Sequence, residues 1–400
     1  MDPGHYDIAI VGGGMVGGAL ACALGGTGLK VAALERQAPS VLAADVRDAR
    51  VSAITPASRT LFEALGVWSG IAARPLGRVA AMQIWDRREI RFDAADIGAT
   101  ALAYIVENGA ITAALYARLQ QYTNVHSVAP AELDTIEIKD GVQLVLRDGR
   151  RINARLVVGA DGADSVVRQR AGLALRRLDL AQTAIVATVR TERAHADTAL
   201  QHFLPTGPLA LLPLADAHHA SLVWSADTPR AQALMALDDA AFVVELAQAI
   251  GDRLGALTLV GARAAFPLAL THAVDYVTPA VALIGDAAHT VHPLAGQGVN
   301  LGLLDAAALA EVLLEAHAAG KDIGALHVLR RYQRWRKGDN WALLAVTGGF
   351  KYLFGNDWPV LRETRNLGLQ LTDRAPFAKN LLMRRACGLI GDLPRLMRPR

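Results

Sequence analysis

The sequence predicts an α/β protein: a parallel sheet with crossover helices, interrupted by an inserted antiparallel sheet and finished by helices. Three apolar strands carry the prediction. Tyr6–Val11 runs into Gly12-Gly13-Gly14-Met15-Val16-Gly17, Ala154–Gly159 runs into Ala160-Asp161-Gly162, and Leu283-Ile284 runs into Gly285-Asp286 before a Pro/Gly loop that opens a helix. Between the last two lie short strands punctuated by Pro, Gly and His, the pattern of an antiparallel sheet.

The first element is a strand, turn and helix with glycines at Gly12, Gly14 and Gly17. Gly12 permits the tight turn, Gly14 lets a pyrophosphate approach the backbone, and Gly17 lets the helix pack on the strand. A second strand, Leu29–Leu34, ends in Glu35, placed to bind the hydroxyls of an adenosine ribose. This βαβ start is Rossmann-like and predicts a dinucleotide, FAD or NAD.

The third strand end favours a flavin. Asp286 closes a buried strand, where its carboxylate can accept a hydrogen bond from a sugar-like hydroxyl such as the ribityl chain of FAD presents. The Pro/Gly loop that follows brings Pro293, Gly296, Gln297 and Gly298 before a helix. Backbone N–H groups there can approach an isoalloxazine ring, and the positive helix end faces N1 and O2, where charge collects on reduction. Asp161-Gly162 supplies a further strand end; alone it would read as an ordinary strand-ending turn.

Together these segments resemble the three fingerprints of the single-component flavoprotein aromatic hydroxylases: the dinucleotide glycines, the DG motif and the GD motif. The resemblance narrows to the ubiquinone-biosynthesis hydroxylases through Arg50–Ile54, Ile105–Asn108, Gly207–Leu214, Gly285–Asn300, Arg331–Lys337 and Arg365–Leu369. Within them the chain is most similar to the 2-polyprenylphenol hydroxylases, which oxidise ring carbon 5. It implies a Rossmann-like FAD-binding fold of the p-hydroxybenzoate hydroxylase type, with an inserted antiparallel-sheet substrate domain and a C-terminal helical segment. It also implies Arg50, Ser52, Asn108, Asp161, Val299 and Asn300 as further FAD contacts beside Gly298. Pro293, Gly296, Gln297 and Gly298 would position the flavin and a C4a-hydroperoxide through their backbone. No general base is assigned, because such a path needs positioning and exclusion of water more than side-chain catalysis. O2 and NAD(P)H, or a protein electron donor, are the implied co-substrates, and a polyprenyl phenol the implied partner.

Where βαβ patterning stops and resumes sets the expected organisation. Residues 1–75, 101–180 and 276–335 form the FAD-binding domain, 76–100 and 181–275 the substrate domain, and 336–400 a helical region. Within the insertion, Thr183–Val189, Thr198–Phe203, Leu209–Leu212 and Ser221–Trp224 read as the floor of a substrate pocket, joined by Met82–Asp86 and Ile90–Asp93.

Composition agrees. The chain has 400 residues, 52% of them hydrophobic, enough for a large core in two or three domains. Cys22 and Cys387 are the two cysteines, so a disulfide framework is not expected. The amino end lacks a basic leader, and no stretch reaches the ~18 apolar residues of a membrane span. A cytoplasmic protein, peripheral to the inner membrane at most, is expected.

The net charge of +3 hides an asymmetry: residues 330–400 hold 15 Lys and Arg against five Asp and Glu, or +10, leaving −7 for the rest. Trp341–Val346 and Phe350–Phe354 add large apolar side chains to that region. It reads either as a helical cap with a solvated rim or as a surface for anionic lipid or a ubiquinone-biosynthesis complex. Nucleic acid is not an expected partner, and the sequence leaves the oligomeric state open. The spacing of Asp286, His289 and His292 invites a metal, but the flavin reading already uses this loop. No Gly-x-Ser-x-Gly elbow supports hydrolase chemistry. The rival readings are a flavin reductase acting on a prenyl chain, a flavin-dependent hydroxylase of another apolar substrate, and a non-catalytic prenyl-binding protein on the same fold.

Overall fold

Strand His5–Val11 buries Ile8, Ala9 and Ile10 completely and lies at the centre of a parallel sheet. It pairs with Arg151–Gly159 on one side and with Val31–Leu34 on the other. Val125–Val128 extends the sheet beyond Val31–Leu34, and Val281–Leu283 extends it beyond Arg151–Gly159, again in parallel. The inner strands are covered on both faces where they run into their loops, which is why those stretches read as continuous apolar runs, whereas the edge strand Val125–Val128 exposes His126. Helix Met15–Ala23 packs against helices Asn108–Leu119 and Gly298–Ala318. The computed structural model of the chain describes residues 5–37, 50–86, 88–139, 141–291, 298–354 and 375–398, with backbone alone for 343–354.

The second sheet has eight strands in the order His289–Thr290, Leu257–Ala273, Leu175–Thr191, His219–Asp227, Gly207–Pro213, Thr198–Leu204, Ala81–Trp85 and Glu89–Asp93. The sequence predicts this sheet as antiparallel, and one pair departs from that: Thr198–Leu204 runs parallel to Ala81–Trp85. The two strands come from distant parts of the chain, so no hairpin turn dictates their direction. One face of the sheet, with Ile185, Leu222 and Trp224, is buried against helices Thr228–Ala236 and Asp239–Ile250 through Leu234, Phe242 and Leu246. Sequence reading missed these helices, although Asp238 caps the second and Phe242, Leu246 and Ile250 recur at helical spacing.

Between the sheets, Val51–Ile54, Ala103–Glu107 and Gly77–Val79 form a three-stranded antiparallel sheet. Ala53, Val79 and Ile105 pack on Ala199 and Leu212 of the second sheet, so this small sheet ties the two larger ones together. Near the carboxyl end, helix Pro376–Ala386 docks through Met383, and Cys387 joins it against Ile97. Among the described residues, no helix is long and apolar enough to cross a membrane.

Candidate functional site

The parallel strands end together. Val11 lies opposite Leu34 and Gly159, and Gly159 lies opposite Leu283. Gly12, Glu35, Asp161 and Asp286 therefore leave the sheet at one carboxyl edge, the place where open α/β sheets bind ligands.

At that edge the three glycines of the first loop have different physical reasons. Gly12 has φ +102°, and a Cβ there would sit 2.3 Å from the Ala160 carbonyl oxygen, so the first and second loops touch backbone to backbone. Gly17 is pressed by helix packing, its Cβ position lying 1.9 Å from the Gly12 carbonyl oxygen. Gly14 meets nothing within 4 Å. Helix Met15–Ala23 begins behind it with no side-chain cap and no acid in its first turn. Its first N–H groups and positive dipole end thus suit an anion. The Glu35 carboxylate accepts the Gly13 N–H at 2.7 Å, fixing the loop while standing at the strand end.

Asp161 does more within the loop than the sequence suggests. One carboxylate oxygen accepts from the N–H groups of Val166 and Val167 at 2.7 and 3.2 Å, holding the start of helix Val166–Arg170, while Oδ1 is buried with no protein partner. Arg168, which sequence reading passed over, is 4% exposed, and burial lowers its pKa first, opposed by Asp161 and Asp164. Its guanidinium donates to the carbonyls of Ala163 and Ala287 at 2.7 and 2.8 Å, tying the Asp-Gly loop to the Gly-Asp turn.

The Gly-Asp turn itself is a 3-10 turn over Gly285–Ala287. Gly285 has φ +60°, and its Cβ position lies 3.3 Å from Val16; Gly302 of the following helix is tighter, at 2.6 Å from Val16 and 3.1 Å from the Gly285 Cα. The turn, the first helix and the helix Gly298–Ala318 thus meet with no room for side chains. Asp286 is open to solvent yet ringed by protein, and burial raises its pKa against the pull of His289. His289, expected on a turn, instead forms a short strand with Thr290 that pairs with Thr271 and His272. Its Nε2 is committed to Asp305 at 2.5 Å; His292 lies outside the described residues.

The candidates implied by resemblance take different places in the structure. Ser52 Oγ donates to Asn108 Oδ1 at 2.7 Å, and Asn108 N–H donates to the Arg50 carbonyl at 3.0 Å, so these three are brought together. Asn300 is 6% exposed and spends its side chain on structure: Oδ1 accepts from Thr55 N–H at 3.0 Å, and Nδ2 donates to the Ala53 carbonyl at 2.7 Å. A ligand contact by Asn300 would fall to its backbone. Gly298 and Val299 open the helix Gly298–Ala318, whose first turn carries no acid. Pro293, Gly296 and Gln297 lie outside the described residues. Val291, just before them, packs on a small apolar cluster of Leu180, Ala184, Leu268 and Leu270 from the second sheet.

A family model described as an FAD binding domain matches residues 5–346. The 3-demethoxyubiquinol 3-hydroxylase of Escherichia coli is 42% identical over 96% of this chain and 98% of its own length. Ubiquinone hydroxylase UbiL of Rhodospirillum rubrum is 40% identical over 98% and 92%. The chain belongs to the FAD-dependent hydroxylases of ubiquinone biosynthesis. Human ubiquinone biosynthesis monooxygenase COQ6, 36% identical over 94% of this chain and 92% of its own, is another relative of this hydroxylase. In fold, it is like PqsL of Pseudomonas aeruginosa, with a TM-score of 0.78 at 24% identity over 88% of this chain and 97% of that one.

FAD fits the residues present. The open space at Gly14 and the uncapped helix end suit its pyrophosphate, and Glu35 and Asp286 suit its two sets of hydroxyls. The cofactor of this hydroxylase is thus FAD, with O2 and NAD(P)H as the usual co-substrates of the class.

Proposed function

We propose that this hydroxylase oxidises the aromatic ring of a polyprenyl phenol on the route to ubiquinone. The observation that carries the reading is the common carboxyl edge, where the Gly14 opening, Glu35 and Asp286 adjoin the second sheet through strand His289–Thr290. When bound, FAD supplies transfer of an electron pair from NAD(P)H or a protein donor to O2, so that one oxygen atom enters the ring and the other leaves as water. The chain's own residues bind, orient and keep water out. The first N–H groups of helix Met15–Ala23 would hold the pyrophosphate, Glu35 the ribose diol, and Asp286 a ribityl hydroxyl. The N-terminus of helix Gly298–Ala318, with Gly298, Val299 and the backbone of Asn300, would stabilise the negative charge that the ring gains on reduction. Arg50, Ser52, Asn108 and Asp161 would complete the surround, and Pro293, Gly296 and Gln297, which lie outside the described residues, would position ring and oxygen through their backbone.

Leu180, Ala184, Leu268, Leu270 and Val291 supply the apolar wall on the substrate side. Burying an isoprenoid there contributes ~25 cal/mol per Å² and excludes water, which limits wasteful release of peroxide. The domain division at residues 75, 100, 180, 275 and 335 belongs to this proposal. So does a peripheral membrane surface in the basic carboxyl region, where Phe377, Leu381 and Leu382 are exposed beside Lys379, Arg384 and Arg385. Resemblance assigns ring carbon 5, while the E. coli relative is named for position 3.

The test is hydroxylated product per electron pair consumed across phenols bearing zero to several isoprene units, with labelled O2 and mapping of the labelled ring carbon. Coupling should rise with chain length until the apolar wall ends. A flat series, or preference for a charged phenol such as 4-hydroxybenzoate, would overturn the substrate assignment and leave the flavin hydroxylase standing.

A further inference from the structure

Behind the Gly-Asp turn lies a buried polar cluster for which the cofactor chemistry has no direct use. Asp305 sits mid-way along helix Gly298–Ala318 and is fully buried, in a stretch where its neighbours Leu303, Ala306 and Leu309 are core residues. Such a carboxylate is costly in a core unless every lone pair is used. Here they are. Oδ2 accepts from the Gly285 N–H at 3.1 Å and from His289 Nε2 at 2.5 Å. Oδ1 accepts from Arg336 Nε at 3.0 Å and from Asn340 Nδ2 at 3.1 Å. Arg336, 2% exposed, also donates to the Asn340 side chain at 2.8 Å. Burial pushes the Asp305 carboxyl up, but His289, Arg336 and Asn340 outweigh it and hold the group below its ordinary range.

Two of the four donors belong to the segment that presents Asp286: the residue before it, Gly285, and His289 three residues after it. From the other side, the Ala287 carbonyl accepts the Arg168 guanidinium. The turn is thus held by an anion on its N–H side and a cation on its carbonyl side, each buried and each on a different helix. Glycines at Gly285 and Gly302 let helix and turn approach closely enough for this.

We infer that Asp305, backed by Arg336 and Asn340, is a positioning residue for FAD: it fixes the Gly285–His289 backbone so that the Asp286 carboxylate meets the ribityl chain. This rests on the reading of Asp286 as a ribityl ligand. Asp305 touches no reacting atom and acts through Asp286.

The test is a double-mutant cycle on FAD affinity, titrating apo-protein with FAD by fluorescence quenching. Asp286→Ala and Asp305→Asn should each weaken binding about 10- to 100-fold, since each loses charge-assisted bonds to the site or to its frame. The double variant should be no more than about 3-fold weaker than the worse single one, because with the Asp286 carboxylate gone nothing remains for Asp305 to position. Multiplied losses would mean a merely structural role and would overturn the inference, as would native affinity in Asp305→Asn. Native affinity in Asp286→Ala would remove the ribityl reading and the positioning role together. If Asp305→Asn does not fold, His289→Ala and His289→Gln carry the test. The first should weaken FAD binding, and the second should recover to within about 3-fold of the native affinity by offering Asp305 an amide N–H. Equal affinity in the two would again overturn it.

Discussion

Replacing Gly14 by alanine should separate cofactor binding from folding. Gly14 has φ −65° and ψ −164°, a conformation open to any residue, and its added methyl meets nothing within 4 Å. The apo-protein should therefore be as stable as before, or firmer by ~0.4–1 kcal/mol through the lower entropy of the unfolded chain. In a chain of 400 residues that is a rise in Tm of about 1 °C. FAD should feel the change fully. A methyl carbon extends about 1.5 Å from the backbone, enough to push a phosphate out of hydrogen-bond reach of the helix N-terminus. Charge-assisted bonds contribute roughly 1.5–3 kcal/mol, so Kd should rise about 10- to 150-fold. Fluorescence titration of the apo-protein with FAD and a thermal unfolding curve without it read the two effects separately. Native affinity would refute the placement of the pyrophosphate at Gly14, and a large loss of apo stability would refute the claim that the position is open. Gly17→Ala is the contrast: its methyl would lie 1.9 Å from the Gly12 carbonyl oxygen, so this variant should fail to fold or lose several kcal/mol.

Other perturbations follow from the same geometry. Glu35→Ala should weaken FAD binding by losing the ribose diol and by freeing the Gly13 N–H, with the rate per bound flavin nearly unchanged; unaltered affinity in a titration would show the strand-end assignment to be wrong. Gly302→Ala drives a methyl to 2.6 Å from Val16 and 3.1 Å from the Gly285 Cα, and should cost roughly 1–3 kcal/mol in chemical denaturation; a neutral result would mean the turn and helix yield freely. His272 is held down to about 4, first by burial and then by the charges of His289, Lys337 and Arg176. The unfolded chain takes up that proton near pH 6.5, before the folded one does, so stability should fall as pH drops from about 6.5 to about 4. Discounted for the group's partial exposure, the loss is about 1–2 kcal/mol. His272→Gln should flatten that part of the stability profile, and an unchanged slope would refute the assignment.

Much of the fold was legible because local signals and global packing agree. The three strand ends announce themselves by apolar runs that stop at Gly or Asp, and those runs exist because parallel strands are buried on both faces. The parallel pair in the second sheet, by contrast, was illegible: nothing in Thr198–Leu204 names Ala81–Trp85 as its neighbour. The helices Thr228–Ala236 and Asp239–Ile250 were illegible for a different reason: each is a short helical period set between strands of the same sheet.

At the candidate site, the sequence by itself determined which residue types stand at the carboxyl edge of the sheet: the glycines, Glu35 and Asp286 are marked by their place at strand ends. Only the tertiary structure decided what the polar residues around them do. Asn300, read as a ligand contact, spends its side chain pinning a helix to Ala53 and Thr55. Asp305, Arg168 and Arg336 went unnoticed as a charged residue amid apolar ones and two arginines among many. Their meaning rests on partners 16 to 119 residues away, from His289 and Asp305 to Arg168 and Ala287. A strand end is a local event written in consecutive residues, whereas the satisfaction of a buried charge depends on what the fold brings to it.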